Sequence, residues 1–302
     1  MASCPQLWKR DYAPDNCWYD HPVIVRRRLV IVHVAMLAVA GLGGVRAASA
    51  ATVEWRTSFD EALAQSRPLN KPMWLEFWAT WCAPCKVMDA EVYTDADVIQ
   101  ASKRFVPVRI DFDKKTVLAR KYNVTALPTF VFTNSDGAEL FRYSGVITAS
   151  PMAELLRSLP ADVAEFNRLG RTLAADRNNA DALEGMGAAL KAAGLFRTSN
   201  DYYKRALQQS QIRASGPRRE AVLTAMGSNY LETRAGKLAA DVFARCVKEF
   251  PGSPHVLAWQ LNVGRAYAMD GDKDKSRKYL QAFIRDHPGT PESETAARLI
   301  EP

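Results

Sequence analysis

Between residues 52 and 160 the spacing of apolar positions alternates between the period of a strand and that of a helix. Apolar or alternating runs at Met73–Ala79, Phe105–Asp111, Thr129–Thr133 and Glu139–Tyr143 predict four strands. Helical patterns fall around and between them. One begins after Ser58, which reads as an N-cap with Glu61 as its capping-box partner. Others cover Asp95–Ser102 and Lys114–Tyr122, and a last one starts near Pro151. Asn134-Ser135-Asp136-Gly137 supplies turn chemistry for a hairpin between the last two strands. This order predicts a mixed sheet flanked by helices.

From residue 161 the pattern is helical throughout, and it repeats. Leu183, Met186-Gly187, Leu190, Gly194, Ser199, Tyr203 and Ala206 form one unit. Leu223, Met226-Gly227, Tyr230, Ala239, Phe243, Cys246 and Pro251 form the next, and Gln260, Val263-Gly264, Tyr267, Gly271, Ser276, Leu280, Phe283 and Pro288 a third. Small residues let paired helices approach while aromatics fill the space between them. Three such units are about the minimum for a stable stack, since one cannot bury its own apolar face. Gln211 stands where the other units close with proline, and an irregular helical bundle is the alternative. Cys246, at a small packing position, reads as a buried structural thiol.

The first 50 residues read differently. Arg26-Arg27-Arg28, an apolar run from Leu29 to Val45 and Ala48-Ser49-Ala50 form an export signal with cleavage expected after Ala50. A signal anchor is the alternative. The 25 residues before the arginines fit an over-long start, with translation beginning near Val25. The expected division is therefore 1–50 signal, 51–160 mixed domain and 161–302 helical repeats. The 302 residues are 48% hydrophobic and 24% charged, enough for two modest globular domains. Three of the seven net positive charges fall in residues 1–50. The mild remainder, without a basic stripe interleaved with aromatics, argues against nucleic-acid binding.

The chemistry concentrates in Trp78-Ala79-Thr80-Trp81-Cys82-Ala83-Pro84-Cys85-Lys86, which follows the first strand and opens a helix. A cysteine at a helix N-terminus gains stability for its thiolate from unpaired N–H groups and the helix dipole, which makes Cys82 the attacking sulfur. Cys85, one turn in, is placed to attack a mixed disulfide on Cys82. A zinc site needs four ligands. Cys4, Cys17, Cys246 and the four histidines show no such spacing. A purely structural disulfide would close too small a loop to stabilise much.

The run Met73 to Lys86 resembles the active-site segment of thioredoxin-fold proteins, and Lys121-Tyr122-Asn123-Val124-Thr125-Ala126-Leu127-Pro128-Thr129 resembles their cis-proline loop. Glu91 to Asp95 and Phe105 to Asp111 look more like the secreted thioredoxin-like branch, which includes the periplasmic C-terminal domain of transmembrane thiol reductases. The resemblance covers about a third of the chain. It implies an α/β thioredoxin-like sandwich followed by an all-α domain whose repeats resemble the tetratricopeptide pattern. It also implies that Cys82 is the nucleophile, Cys85 the resolving thiol and Leu127-Pro128 a cis peptide beside them. Glu76 stands at the family's buried carboxylate, where most cytoplasmic members have aspartate, and would take the proton of Cys85. Pro107 or Arg109 falls near the family's usual lysine. Trp81, Ala83, Pro84 and Leu127 would form the substrate surface, although a Trp in the position of Trp81 can also be a core aromatic. The implied activity is that of an exported thiol:disulfide oxidoreductase, favouring reduction, with no cofactor. Its partners would be protein disulfides, an electron donor such as a membrane thiol reductase, and a protein or peptide on the repeats. The alternative is a repeat-based scaffold or chaperone-like envelope protein in which the dithiol is secondary.

Overall fold

The structure, a computed structural model, describes residues 51–301, so the expected export signal lies outside the described residues. Four strands, β1 (Met73–Trp78), β2 (Val106–Asp111), β3 (Thr129–Thr133) and β4 (Glu139–Ser144), form one sheet in the order β2-β1-β3-β4. β1 runs parallel to β2 and antiparallel to β3, and β4 is antiparallel to β3. Because successive side chains alternate faces, Met73, Leu75 and Phe77 share one apolar layer with Val106, Val108 and Ile110. That layer is covered by α1 (Phe59–Ser66) and α4 (Thr116–Lys121), through Ala62 and Ala119. Trp74 and Phe130 turn to the other face, where Met88, Val98 and Met152 cover them. These belong to the helical side made by α2 (Ala83–Val87), α3 (Ala96–Ser102) and α5 (Ala149–Ser158).

Local chemistry explains the boundaries. Ser58 Oγ accepts from the Glu61 N–H that begins α1, and the Asp95 carboxylate accepts from Asp97 and Val98 N–H at the start of α3. α2 does not stop at Val87. It continues through a wider π turn, Met88–Val92, which delivers Tyr93 to the core.

The rest of the chain is helical: α6 (Ala164–Ala175), α7 (Ala180–Ala192), α8 (Phe196–Leu207), α9 (Ser210–Ala214), α10 (Gly216–Glu232), α11 (Gly236–Glu249), α12 (Val256–Met269), α13 (Lys273–Asp286) and α14 (Pro291–Ile300). The repeat shows a common contact. A Cβ on Gly187 would lie 2.6 Å from the Tyr203 ring, one on Gly227 2.7 Å from Phe243, and one on Gly264 2.3 Å from Leu280. Each unit needs glycine because the large residue of its second helix occupies the space a side chain would take. Ser199 and Ser276 each donate to the carbonyl of their unit's glycine, at 2.7 and 2.8 Å. The first unit lacks its closing proline because α9, which contains Gln211, is inserted there.

The repeats are anchored to the sheet. Val163 N–H donates to Asn70 O, and buried Asn167 accepts from Ser135 N–H at 3.2 Å while its amide donates to Asn70 Oδ1 and Ser135 Oγ. Asn70 precedes β1 and Ser135 follows β3, so this junction sits at the end of the sheet away from the segment 79–85. Thr198 reaches the edge strand, donating to Leu140 O at 3.4 Å. The apolar core continues across the junction from Phe132 and Leu140 through Phe166 and Leu169 to Met186 and Leu190.

Candidate functional site

β1 ends at Trp78, and four residues later Cys82 caps α2. Its Sγ accepts from Cys85 N–H at 3.2 Å. The two sulfurs are bonded to each other, with their Cα atoms 5.3 Å apart. Cys85 is fully buried and Cys82 retains only 2% of its surface in this oxidised form. Ala79, Trp78 and Leu127 pack around the pair. Ala83 and Pro84 are exposed on the first turn of α2. The Leu127-Pro128 peptide is cis, Pro128 is buried, Leu127 half-buried, and the Pro128 carbonyl accepts from Gly145 N–H at 2.9 Å. Trp81 is 64% exposed and donates Nε1–H to Asp113 at 2.9 Å. It stands on the surface beside the dithiol, not in the core.

Glu76 lies on the face of β1 beneath α2 and is completely buried. Its two oxygens are separately held. Tyr93 O–H donates to Oε1 and Arg109 Nε–H to Oε2, both at 2.7 Å. Glu76 and Arg109 are directly opposite in the β1–β2 register. Burial pushes the Glu76 carboxyl up to about 7, against the pull of Arg109 and of the Tyr93 hydrogen bond. Burial, and secondly the neighbouring Glu76, keeps Tyr93 protonated well above the usual phenol range, so it acts as the donor. Of the two residues near the family's lysine position, Arg109 is therefore the one that meets Glu76.

The Arg109 guanidinium also lies 4.5 Å from the centroid of the Trp78 ring, a cation–π contact. Its Nη2 is 2.8 and 3.0 Å from the two Asp89 oxygens. Asp89 follows Cys85 by four residues on the same helix, which puts the Arg109 cluster about 6 Å along the axis from Cys85.

Sequence reasoning missed Asp89, Tyr93 and Asp113 as partners. The available signal for the first cluster was Arg109, a charged residue inside the otherwise apolar run Val106–Ile110. Cys246 is buried away from the dithiol, and burial first of all raises its thiol to about 12. Among the described residues no group of His, Cys, Asp and Glu side chains forms a metal site.

The thioredoxin family profile matches residues 51–158, and a tetratricopeptide-repeat profile matches residues 260–290. The chain is 36% identical over 115 residues to thioredoxin Y2, chloroplastic, of Arabidopsis thaliana, covering 38% of this chain and 63% of that protein. It is 32% identical over 143 residues to the thiol:disulfide interchange protein TxlA of Synechococcus elongatus, covering 46% of this chain and 73% of that one. It is also 32% identical over 108 residues to the thiol:disulfide interchange protein DsbD of Klebsiella pneumoniae, where the match takes in 34% of this chain and 18% of that protein. The chain thus spans somewhat under two thirds of the Arabidopsis protein and most of TxlA. The dithiol at a helix start, the cis-proline loop facing it, the mixed sheet and these matches together place the chain in the thioredoxin family.

Proposed function

We propose that the protein is an exported thiol:disulfide oxidoreductase that reduces protein disulfides through Cys82 and Cys85. The observation that carries this reading is the Cys82–Cys85 disulfide at the N-terminus of α2, with Cys85 N–H donating to Cys82 Sγ beside Leu127-Pro128. The N–H that meets the sulfur in the disulfide also stabilises a Cys82 thiolate once the bond is reduced.

In the reduced protein the Cys82 thiolate attacks one sulfur of a substrate disulfide, forming a mixed disulfide and releasing the other sulfur as thiolate. Cys85 gives its proton to the Glu76 carboxylate through a water. The resulting thiolate attacks Cys82 Sγ, which releases the second substrate sulfur as thiolate and restores the internal disulfide. Two electrons pass from the dithiol to the substrate. Exposed Trp81, Ala83 and Pro84 with half-buried Leu127 form the surface that receives the substrate chain. Because the Pro128 carbonyl is taken by Gly145, a substrate strand pairs at Leu127.

Export rests on the signal-like residues 26–50. An exported dithiol that works as a reductant needs an electron donor, such as a membrane thiol reductase. No helix among the described residues is long and apolar enough to cross a membrane. We divide the working protein into 51–160, which carries the exchange chemistry, and 161–302, whose repeats hold a protein or peptide partner. A partner held near the junction reaches Cys82 by spanning the sheet, about 17 Å of strand.

The test is reduction of insulin disulfides by the prereduced chain, together with the potential of the Cys82–Cys85 couple. Turnover with a potential near −270 mV, the value typical of thioredoxin, is expected. A value near −120 mV, typical of strong oxidants, would reverse the direction.

A further inference from the structure

The family resemblance accounts for one carboxylate beneath the dithiol helix, but in this chain a second, Asp89 on the continuation of that helix, holds the same cation. The Arg109 Nε edge faces buried Glu76 at 2.7 Å, and its Nη2 faces Asp89 at 2.8 Å. A planar guanidinium can serve two acceptors at fixed angles, which a lysine ammonium cannot. The Trp78 ring beneath the guanidinium helps fix its plane. Asp89 is 40% exposed on its side chain while Glu76 is sealed, so the pair joins a solvated carboxylate to a dry one.

We propose that Asp89 is a positioning residue for Glu76: by taking one arm of Arg109, it divides that cation between two carboxylates and sets how tightly Glu76 holds a proton. Among the described residues, the charged and titratable groups that meet this cluster are Asp89 from the π turn, Tyr93 from its end and Arg109 from β2; Cys85 on α2 is held in the disulfide, and β3 places apolar Phe130 opposite. Both effects of Asp89 have the same sign. Its negative charge repels an ionised Glu76, and it neutralises part of the Arg109 charge that would otherwise favour ionisation. Asp89 therefore keeps Glu76 protonated to higher pH. Its bearing on catalysis rests on the reading that Glu76 serves Cys85.

The experiment is a carbon-13 NMR titration of glutamate carboxyls in the oxidised full chain, with the Glu76 signal identified by its loss in Glu76→Gln. Asp89→Asn keeps an oxygen facing Arg109 and removes the charge, Asp89→Ser is a second neutral variant, and Asp89→Glu returns the charge. The Glu76 midpoint is expected to fall by about one pH unit, a tenfold change in its protonation equilibrium, in both neutral variants and to recover in Asp89→Glu. An unchanged midpoint in folded Asp89→Asn or Asp89→Ser overturns the proposal, as does a fall that Asp89→Glu does not reverse. The rate at which mixed disulfide on Cys82 resolves, followed against pH, is a separate arm. If the titration moves and the resolution profile does not, the assignment of Glu76 as acceptor for Cys85 fails, while the Asp89 coupling stands.

Discussion

Replacing Glu76 with glutamine removes one titration from the core and should change how stability depends on pH. The carboxyl is raised from 4.5 to about 7 in the folded chain. Below about pH 4.5 it is protonated whether the chain is folded or not. Between 4.5 and 7 the unfolded chain releases the proton and the folded chain keeps it, so folding loses stability as pH rises, and the loss levels off above 7. A span of about 2.5 pH units at about 1.36 kcal/mol each gives a fall of about 3 kcal/mol from this group. Glutamine has no such titration. The absolute stability of the variant also reflects one displaced hydrogen bond from Tyr93 or Arg109, so the slope is the diagnostic quantity. Urea unfolding of the oxidised chain and of Glu76→Gln at intervals from pH 4.5 to 8 measures it, and other titrating groups cancel between the two. The difference curve should change by about 3 kcal/mol in favour of the variant across that range. Parallel stability curves would refute the argument that burial dominates the Arg109 and Tyr93 contacts.

Three further outcomes are expected. Asn167→Ala removes the acceptor of Ser135 N–H and two amide bonds at the junction and should cost about 2 kcal/mol by denaturant unfolding. A cost under about 0.5 kcal/mol would mean that solvent takes over those groups. Gly227→Ala would put a Cβ 2.7 Å from the rigid, buried Phe243 ring. The overpacking, about 1–3 kcal/mol, should exceed the gain of up to about 1 kcal/mol in helix propensity, and a raised melting temperature would contradict this. Cys246 should resist iodoacetamide at pH 8 in the folded chain and react once urea unfolds it, because burial holds its thiol up to about 12. Rapid native labelling would show that the repeats open.

Strand positions were legible because β1 and β3 are buried on both faces and read as apolar runs, while β2 and the half-buried β4 read as mainly apolar or alternating segments bounded by polar residues. Thr129–Thr133 agrees at both ends, and the other three strands differ by one residue at one end. The helix predicted to begin near Pro151 starts at Ala149, since Pro151 fits within the first turn, where no N–H partner is needed. The π turn at Met88–Val92 was not legible, because its one-residue widening leaves no local signature. Glu76 could be placed by its distance from Cys82. Its partners could not, since Arg109, Asp89 and Tyr93 come from a neighbouring strand and the far end of the dithiol helix, and only the register joins them. The repeat glycines were visible as a pattern. The Asn167 junction was not, since Asn70, Ser135 and Asn167 are joined across 97 residues of sequence.

The exchange chemistry depends on Cys82 being the sulfur that meets the substrate and Cys85 the one that releases it. The direct measurement is to react the prereduced Cys85→Ser and Cys82→Ser chains with insulin and map any covalent adduct by mass spectrometry. A stable mixed disulfide on Cys82 in the first variant, with none on Cys85 in the second, is the predicted result. An adduct on Cys85, or none in either chain, would contradict it.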